Sequence, residues 1–285
     1  MSALFHSYLC GRIAAEWLIA MKLSISNIAW DSSEDKMIYE LMQNNGFSGL
    51  EIAPTRVFPE HPYDRLESAE EWAEGLKNQY GFSIPSMQSI WFGRQEKLFG
   101  TEEERKVLVD YTKKAIDFAA AVGCGNLVFG CPRNRNMPDG ADVQIGVDFF
   151  RTIGEYALSR GTVIGMEANP SIYNTNYIND TPSALRLIEE VDCEGFRLNL
   201  DVGTMIYSGE RVEILKNKVH LISHVHISEP GLKPIVHRSL HEELKELLRM
   251  EDYSGFVSIE MGKTEHPGSL VEAALYVREV FAGER

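Results

Sequence analysis

The feature that most constrains the fold is an eightfold alternation of short β-rich runs with longer amphipathic segments. From residue 22 onward, each run of apolar and β-branched residues is followed by a segment with helical periodicity. Strands that alternate with helices in this way run parallel in one sheet. A doubly wound open sheet usually has a glycine-rich turn after its first strand, and the turn at 28–33 has no glycine. Eight units therefore predict an α/β fold with a single (β/α)8 TIM barrel.

The predicted strands and helices fill the chain from residue 22 to residue 281. Strands are predicted at 22–30, 49–54, 83–90, 126–131, 163–169, 196–203, 221–229 and 255–262. A polar cap at 31–33 starts the first helix, which ends at 45. Later helices are predicted near 68–80, 101–122, 141–159, 181–190, 210–218, 239–250 and 268–281. Because no low-complexity linker divides the chain, residues 21–285 are predicted to form one barrel domain.

Residues 1–20 are predicted to be a short N-terminal extension outside the barrel. The apolar run at 13–21 is too short to span a bilayer. Glu16 interrupts this run and no small-residue cleavage site follows it, which argues against a secretory signal. The sequence therefore predicts no membrane partner.

Charge and cysteine usage narrow the class of function. Asp and Glu number 42 against 28 Lys and Arg, which gives a net charge of −14. Such an acidic surface repels phosphate backbones, so no nucleic-acid partner is expected. The four cysteines, at 10, 124, 131 and 193, show no CxxC spacing and predict a reduced, cytoplasmic compartment. The sequence leaves open whether the chain forms a homo-oligomer.

Charged residues stand at the C-terminal ends of several predicted strands, although buried parallel strands are otherwise apolar. In a (β/α)8 barrel these ends meet at one mouth, where such barrels carry their chemistry. The residues are Glu51, Glu167, Asp201, His224, His226 and Glu260. The two histidines point to the same face of their strand, and His226, nearer its end, is the better ligand. We expect His224 to be a hydrogen-bonded core residue.

Four of these residues follow one another on the last four strands. Glu167, Asp201, His226 and Glu260 are separated by 34, 25 and 34 residues, each about one βα unit. Three carboxylates in a partly desolvated pocket repel one another unless a cation compensates them. Carboxylates with one imidazole suit Mn²⁺, Mg²⁺ or Co²⁺, which the sequence does not distinguish. We predict one divalent-metal site; the alternative is four separate salt bridges or caps.

Several segments of the chain resemble one known superfamily. The main ones are GMEANP at 165–170, LNLDVGTM at 198–205, HVHISEP at 224–230 and SIEMG at 258–262, with weaker echoes in GLEIAP at 49–54 and VFGCPRNR at 128–135. In this order they resemble the xylose isomerase-like barrels. That superfamily includes sugar phosphate isomerases and epimerases, ketose 3-epimerases, inosose dehydratases and endonuclease IV. The resemblance implies the same four metal ligands, Glu167, Asp201, His226 and Glu260.

The resemblance also implies an activity. It indicates a metal-dependent isomerase or epimerase that removes a proton next to the carbonyl of a sugar or sugar phosphate, through a metal-stabilised enediolate. Glu167 and Glu260 are expected to transfer the proton as well as to bind the metal. The alternative is a lyase of the inosose dehydratase type. An endonuclease IV-like DNA-repair hydrolase fits less well, because strands two and three offer no histidine for further zinc ions. A non-catalytic binder fits less well because no ligand is missing.

Other residues near strand ends are candidate substrate contacts. Glu229 follows His226 by three residues, as in the ketose epimerases, whereas Thr204 and Leu232 replace a histidine and an arginine of that family. Lys233 stands beside Leu232 and is kept as a candidate.

The loop after the fourth strand adds two basic candidates. Arg133 and Arg135 suit a phosphate or carboxylate, which favours an anionic sugar. The aromatic residues Trp91 and Tyr173 are candidate stacking partners for a sugar ring. The remaining candidate substrate contacts are Glu51, Gln88 and Asn169.

Overall fold

The computed structural model describes residues 21–266 and 268–283. Eight parallel strands form one sheet. They are β1 (Lys22–Ser26), β2 (Gly49–Glu51), β3 (Ser86–Met87), β4 (Asn126–Phe129), β5 (Val163–Glu167), β6 (Phe196–Asp201), β7 (Ile222–Ile227) and β8 (Phe256–Ile259). Each strand lies within its predicted segment, and the predicted barrel is confirmed. The predicted extension at 1–20 lies outside the described residues.

The sheet curls into a nearly closed barrel. Its strand order is β2-β1-β8-β7-β6-β5-β4-β3, so β2 and β3 are the two edges. Isolated parallel bridges join these edges, and the backbone N–H of Ile52 donates to the carbonyl oxygen of Ser86 at 3.1 Å. The C-terminal ends of all eight strands therefore face one mouth.

The described residues contain nine α-helices. They are α1 (Asp35–Asn44), α2 (Pro54–Val57), α3 (Leu66–Tyr80), α4 (Glu102–Ala121), α5 (Gln144–Ser159), α6 (Thr181–Val191), α7 (Val202–Ser208), α8 (Ser239–Met250) and α9 (Gly268–Ala282). Seven of them overlap predicted helices, with ends that differ by a few residues. Within this part of the chain, no helix combines the length and apolar character needed to cross a membrane.

The helix predicted at 210–218 is wrong. The helix of this unit, α7, starts directly after β6, because the Asp201 side chain accepts a hydrogen bond from the Thr204 N–H and caps it. Gly209 ends α7 in the left-handed region at φ 65°, a conformation that glycine adopts without strain. Only a short 3-10 turn, Val212–Leu215, forms in the predicted segment.

Close packing between α5 and the start of β6 leaves no room for a side chain at residue 195, which is Gly195. A Cβ atom at this position would overlap the carbonyl oxygen of Gly154. We expect Gly195→Ala to lower the free energy of unfolding by about 1–3 kcal/mol, the usual cost of overpacking. Urea denaturation measures this. Gly75→Ala is the matched control, since its Cβ would meet nothing within 4 Å in helix α3. An equal loss in both variants would contradict the packing argument.

Candidate metal centre

Four consecutive strands bring the predicted ligands together. Glu167 and Asp201 are the last residues of β5 and β6. His226 is the next-to-last residue of β7, and Glu260 directly follows β8. Each offers one ligand atom, and these atoms all lie within 4.8 Å of one another. The pairing of Asp201 with His226 between β6 and β7 sets two of them at the same height in the barrel.

The His226 ring is held from both sides. Its Nδ1 atom lies 3.0 Å from Glu167 Oε1 and 3.2 Å from Glu260 Oε2. Its Nε2 atom lies 2.8 Å from Glu51 Oε2. His224 Nε2 is 3.0 Å from the same Glu51 oxygen but outside hydrogen-bonding geometry. His226 therefore turns Nδ1 toward the other ligands, and Glu51 lies behind the ring.

Hydrogen bonds fix the carboxylates of Glu167 and Asp201. Glu167 Oε1 accepts from Asn199 Nδ2 at 3.1 Å, and Oε2 accepts from Asn169 Nδ2 at 2.9 Å. Asp201 accepts from the Thr204 N–H at 2.6 Å and from the Ser228 hydroxyl. The sequence analysis missed Asn199 and Ser228. Asn199 could have been found, because an amide two residues before Asp201 in an apolar strand shares its face.

The electrostatics of the cluster favour a cation. Burial, together with the Glu167 charge, raises the pKa of Asp201 to about 6. Burial raises the pKa of Glu260 to about 7, with Glu167 adding to the shift. Burial alone would lower the pKa of His226, but the carboxylates of Glu260 and Glu51 outweigh it and raise that pKa well above its usual value. The metal-free cluster therefore holds protons that a divalent cation can replace.

A cavity of about 160 Å³ opens above the cluster. Glu167, Asp201 and Glu260 form part of its wall. Among the described residues that line it, none is lysine or arginine. The predicted substrate contacts Gln88, Asn169 and Tyr173 also line this cavity.

Two other candidates lie in the protein interior. Glu51 is fully buried, and its Oε1 accepts from Gln88 Nε2 at 3.0 Å while its Oε2 faces His226. Trp91 donates from Nε1 to Thr112 Oγ1 at 2.8 Å and packs edge-on against Phe129. The expectation of direct substrate contact does not fit either placement, because both side chains are enclosed by protein.

The two arginines of the β4 loop differ in environment. Arg133 is exposed, whereas Arg135 is fully buried and donates to the carbonyl oxygen of Glu167 at 2.9 Å. The expectation that Arg135 meets an anion at the mouth does not fit this placement. The sequence could not reveal it, because the acceptors of Arg135 belong to the following βα unit.

The β7 loop candidates also have other surroundings than expected. Glu229 is buried and forms a two-pronged ion pair with Arg238, with N–O distances of 2.7 and 2.6 Å. Lys233 is exposed, and its neighbour Leu232 lines the cavity instead. Tyr173 contacts this loop, since its hydroxyl accepts from the Gly231 N–H at 2.9 Å. These contacts shape the cavity wall.

The Glu51–His226 pair predicts a large effect of Glu51 on metal affinity. A carboxylate behind a ligating histidine fixes the ring and raises its basicity. We expect Glu51→Gln to weaken Mn²⁺ binding about 10–100-fold, as measured by titration calorimetry. Asp117→Asn is the control, because Asp117 is partly buried and accepts from the Tyr156 hydroxyl between helices α4 and α5, away from the cluster. Unchanged affinity in Glu51→Gln would contradict this role.

Comparison with protein families settles the membership of the chain. Residues 39–280 match the family model described as xylose isomerase-like TIM barrel. The chain belongs to this family. The match spans α1 to α9 and so contains β2 to β8 with all four candidate ligands of this xylose isomerase-like barrel. No curated protein matches it in sequence.

Solved structures share the fold of this xylose isomerase-like barrel at low identity. A 3-keto-D-glucoside 4-epimerase from E. coli aligns with a TM-score of 0.72 and 21% identity, over 90% of this chain and 99% of that chain. A D-psicose 3-epimerase from Clostridium cellulolyticum H10 gives 0.70 and 17%, over 92% and 99%. An AP endonuclease, family 2, from Brucella melitensis gives 0.70 and 19%, over 90% and 99%. The fold is therefore shared by proteins that are named for different activities.

Proposed function

We propose that the protein is a divalent-metal-dependent isomerase or epimerase that acts on a small, uncharged sugar. The observation that carries this proposal is the cluster of Glu167, Asp201, His226 and Glu260 at the wall of a small cavity. Epimerases among the solved structures of this fold are consistent with it.

The donor set fits a divalent cation. Three carboxylates and one imidazole nitrogen are the ligands that Mn²⁺, Mg²⁺ or Co²⁺ accept. The raised pKa values of Asp201 and Glu260 are consistent with this, because both arise first from burial and then from the nearby Glu167 charge, and a bound cation would relieve both causes. A bound cation would stabilise negative charge that develops on the substrate oxygens. Its identity stays open.

Glu167 and Glu260 are the proposed proton-transfer residues. They end β5 and follow β8, so two strands separate them across the mouth, which supports access to different sides of a substrate. Amides hold both oxygens of Glu167. In the described structure, the Glu260 carboxylate makes its one hydrogen-bond or ion-pair contact with His226, so it is less constrained. Asp201 and His226 are proposed to serve mainly as ligands.

The cavity favours a small, uncharged substrate. Its volume of about 160 Å³ lies below the range of about 300–1,000 Å³ that is usual for drug-sized ligands. Its wall carries three carboxylates and, in the part of the chain that is described, no basic side chain. A phosphate would therefore find no positively charged side chain in this wall, whereas the hydroxyl groups of a free sugar can bond to its neutral polar side chains, such as Gln88 and Asn169. We now propose a free sugar in place of the anionic sugar favoured above.

A panel of free sugars and their phosphates in deuterated water with added Mn²⁺ tests the proposal. We expect solvent deuterium to enter at least one free ketose or aldose, and more slowly its phosphate. A panel in which no compound exchanges would refute proton-transfer chemistry. Faster exchange into the phosphates would refute the uncharged substrate. Loss of the mass of one water from the product would identify a lyase of the inosose dehydratase type instead.

A further inference from the structure

Arg135 is a buried guanidinium next to the candidate metal centre. It is the largest side chain that is fully buried in the described structure. Its Nη1 donates to the carbonyl oxygen of Glu167 at 2.9 Å, and its Nη2 donates to Asn169 Oδ1 at 3.0 Å and to the carbonyl oxygen of Ile178 at 3.2 Å. Among the described residues, no carboxylate pairs with it within 4.0 Å. A charge this deeply buried needs a reason, because desolvation opposes it.

Arg135 determines which way the Asn169 amide faces. A guanidinium has only donors, so the oxygen of the amide must point toward it. The amide nitrogen then faces Glu167, where Nδ2 donates to Oε2 at 2.9 Å. The hydrogen bonds therefore form a directed chain from Arg135 through Asn169 to Glu167. Reversal of the amide would set donor against donor at Arg135.

Gly130 leaves space for this chain. A Cβ atom at residue 130 would lie 2.8 Å from Glu167 Oε2 and 3.3 Å from Asn169 Oδ1. The end of β4 thus lacks a side chain at the point where the amide and the carboxylate meet. Arg135 and Gly130 come from the same β4 loop, and both lie next to the groups that form this hydrogen bond.

We propose that Arg135 is a positioning residue, which orients Asn169 so that the amide holds Glu167 in the geometry for metal binding and proton transfer. The part that concerns proton transfer rests on the proposed function. The part that concerns metal binding does not, since it follows from the position of the Glu167 carboxylate alone.

A double-mutant cycle on Mn²⁺ affinity tests the proposal. Calorimetry would be run on the wild type, Arg135→Lys, Asn169→Ala and the double variant. We expect Asn169→Ala to weaken Mn²⁺ binding about tenfold, the lower end of the usual effect of a residue behind a metal ligand. We expect Arg135→Lys to weaken it severalfold in the wild-type background and clearly less in the Asn169→Ala background, because the part of its effect that passes through the amide is then lost and only the hydrogen bond to the Glu167 carbonyl oxygen remains to be affected.

Arg151→Lys is the matched control. Arg151 also donates to two backbone carbonyl oxygens, those of Val191 and Glu190, but no hydrogen bond leads from it to Glu167. We expect its Mn²⁺ affinity to equal that of the wild type. Thermal unfolding of every variant is followed in parallel.

The outcomes separate this inference from the proposed function. Equal losses from Arg135→Lys in both backgrounds, or no loss in either, would overturn the positioning role. Failure of Arg135→Lys to fold while Asn169→Ala folds would assign Arg135 to stability and would also overturn it. If the wild type exchanges no proton of any sugar while the cycle behaves as expected, only the proposed function fails. With an active substrate, kcat should fall in Arg135→Lys and KM should stay unchanged.

Discussion

Replacing Glu260 by glutamine is expected to abolish the incorporation of solvent deuterium into the substrate. Glutamine has nearly the same shape and keeps an oxygen that can bind a metal, but it cannot accept the proton. Loss of a general base lowers the rate by about 10²–10⁴-fold. Glu260 lines the cavity and makes its polar contact with His226. The other two carboxylates of the cavity wall, Glu167 and Asp201, are held by hydrogen bonds and are less able to take over its role. Exchange monitored by NMR in deuterated water measures the effect.

The Glu260→Gln result requires proof that the metal is still bound. Elemental analysis of the purified variant at saturating Mn²⁺ supplies it. Glu265→Gln is the matched control, because Glu265 is exposed in the loop after β8 and does not line the cavity. We expect it to exchange at the wild-type rate. Retained exchange in metal-loaded Glu260→Gln would remove Glu260 from proton transfer and leave it as a ligand.

Much of the fold was predictable because the βα rhythm is a local property. Strand runs and helical periodicity are set by neighbouring residues, so every strand of the barrel fell within its predicted segment. The failure at 210–218 has a physical cause. The Asp201 side chain belongs to the candidate ligand cluster and also caps α7. A helix that begins on the last residue of a strand leaves no loop to signal its start.

The candidate ligands could also be predicted from the sequence. Charges at the ends of apolar strands are rare, and strand ends meet in a barrel, so spacing of about one βα unit predicts convergence. The side chains that surround these ligands could not be predicted from the sequence. The sequence predicts substrate contacts for Arg135 and Trp91, because no local pattern shows that Arg135 donates to Asn169, 34 residues away, or that Trp91 donates to Thr112, 21 residues away. Burial of a side chain by residues far along the chain cannot be recognised from its neighbours in the sequence.

Removal of the metal is expected to make stability depend on pH. Burial raises the pKa of Glu260 from 4.5 to about 7 and that of Asp201 from 3.8 to about 6. The folded metal-free protein therefore binds protons more tightly than the unfolded chain. The stability that these two groups contribute is fully present below about pH 4. This contribution is lost as the pH rises to about 7. At about 1.4 kcal/mol per pKa unit, shifts of this size correspond to a few kcal/mol, shared between the two carboxyl groups.

Urea unfolding of chelator-treated protein at pH 5 and pH 8 measures this loss, and Glu260→Gln is expected to remove the share that Glu260 contributes. Because glutamine does not ionise, the metal-free variant should be more stable than the metal-free wild type at pH 8 and close to it at pH 5. Mn²⁺ at 100 times its Kd should then return about 2.7 kcal/mol to the wild type, with a smaller gain for the variant. A metal-free wild type that is equally stable at both pH values would show that these carboxylates are neither desolvated nor exposed to each other's charge. In that case the charge argument for a cation at this site fails, whereas the barrel is unaffected.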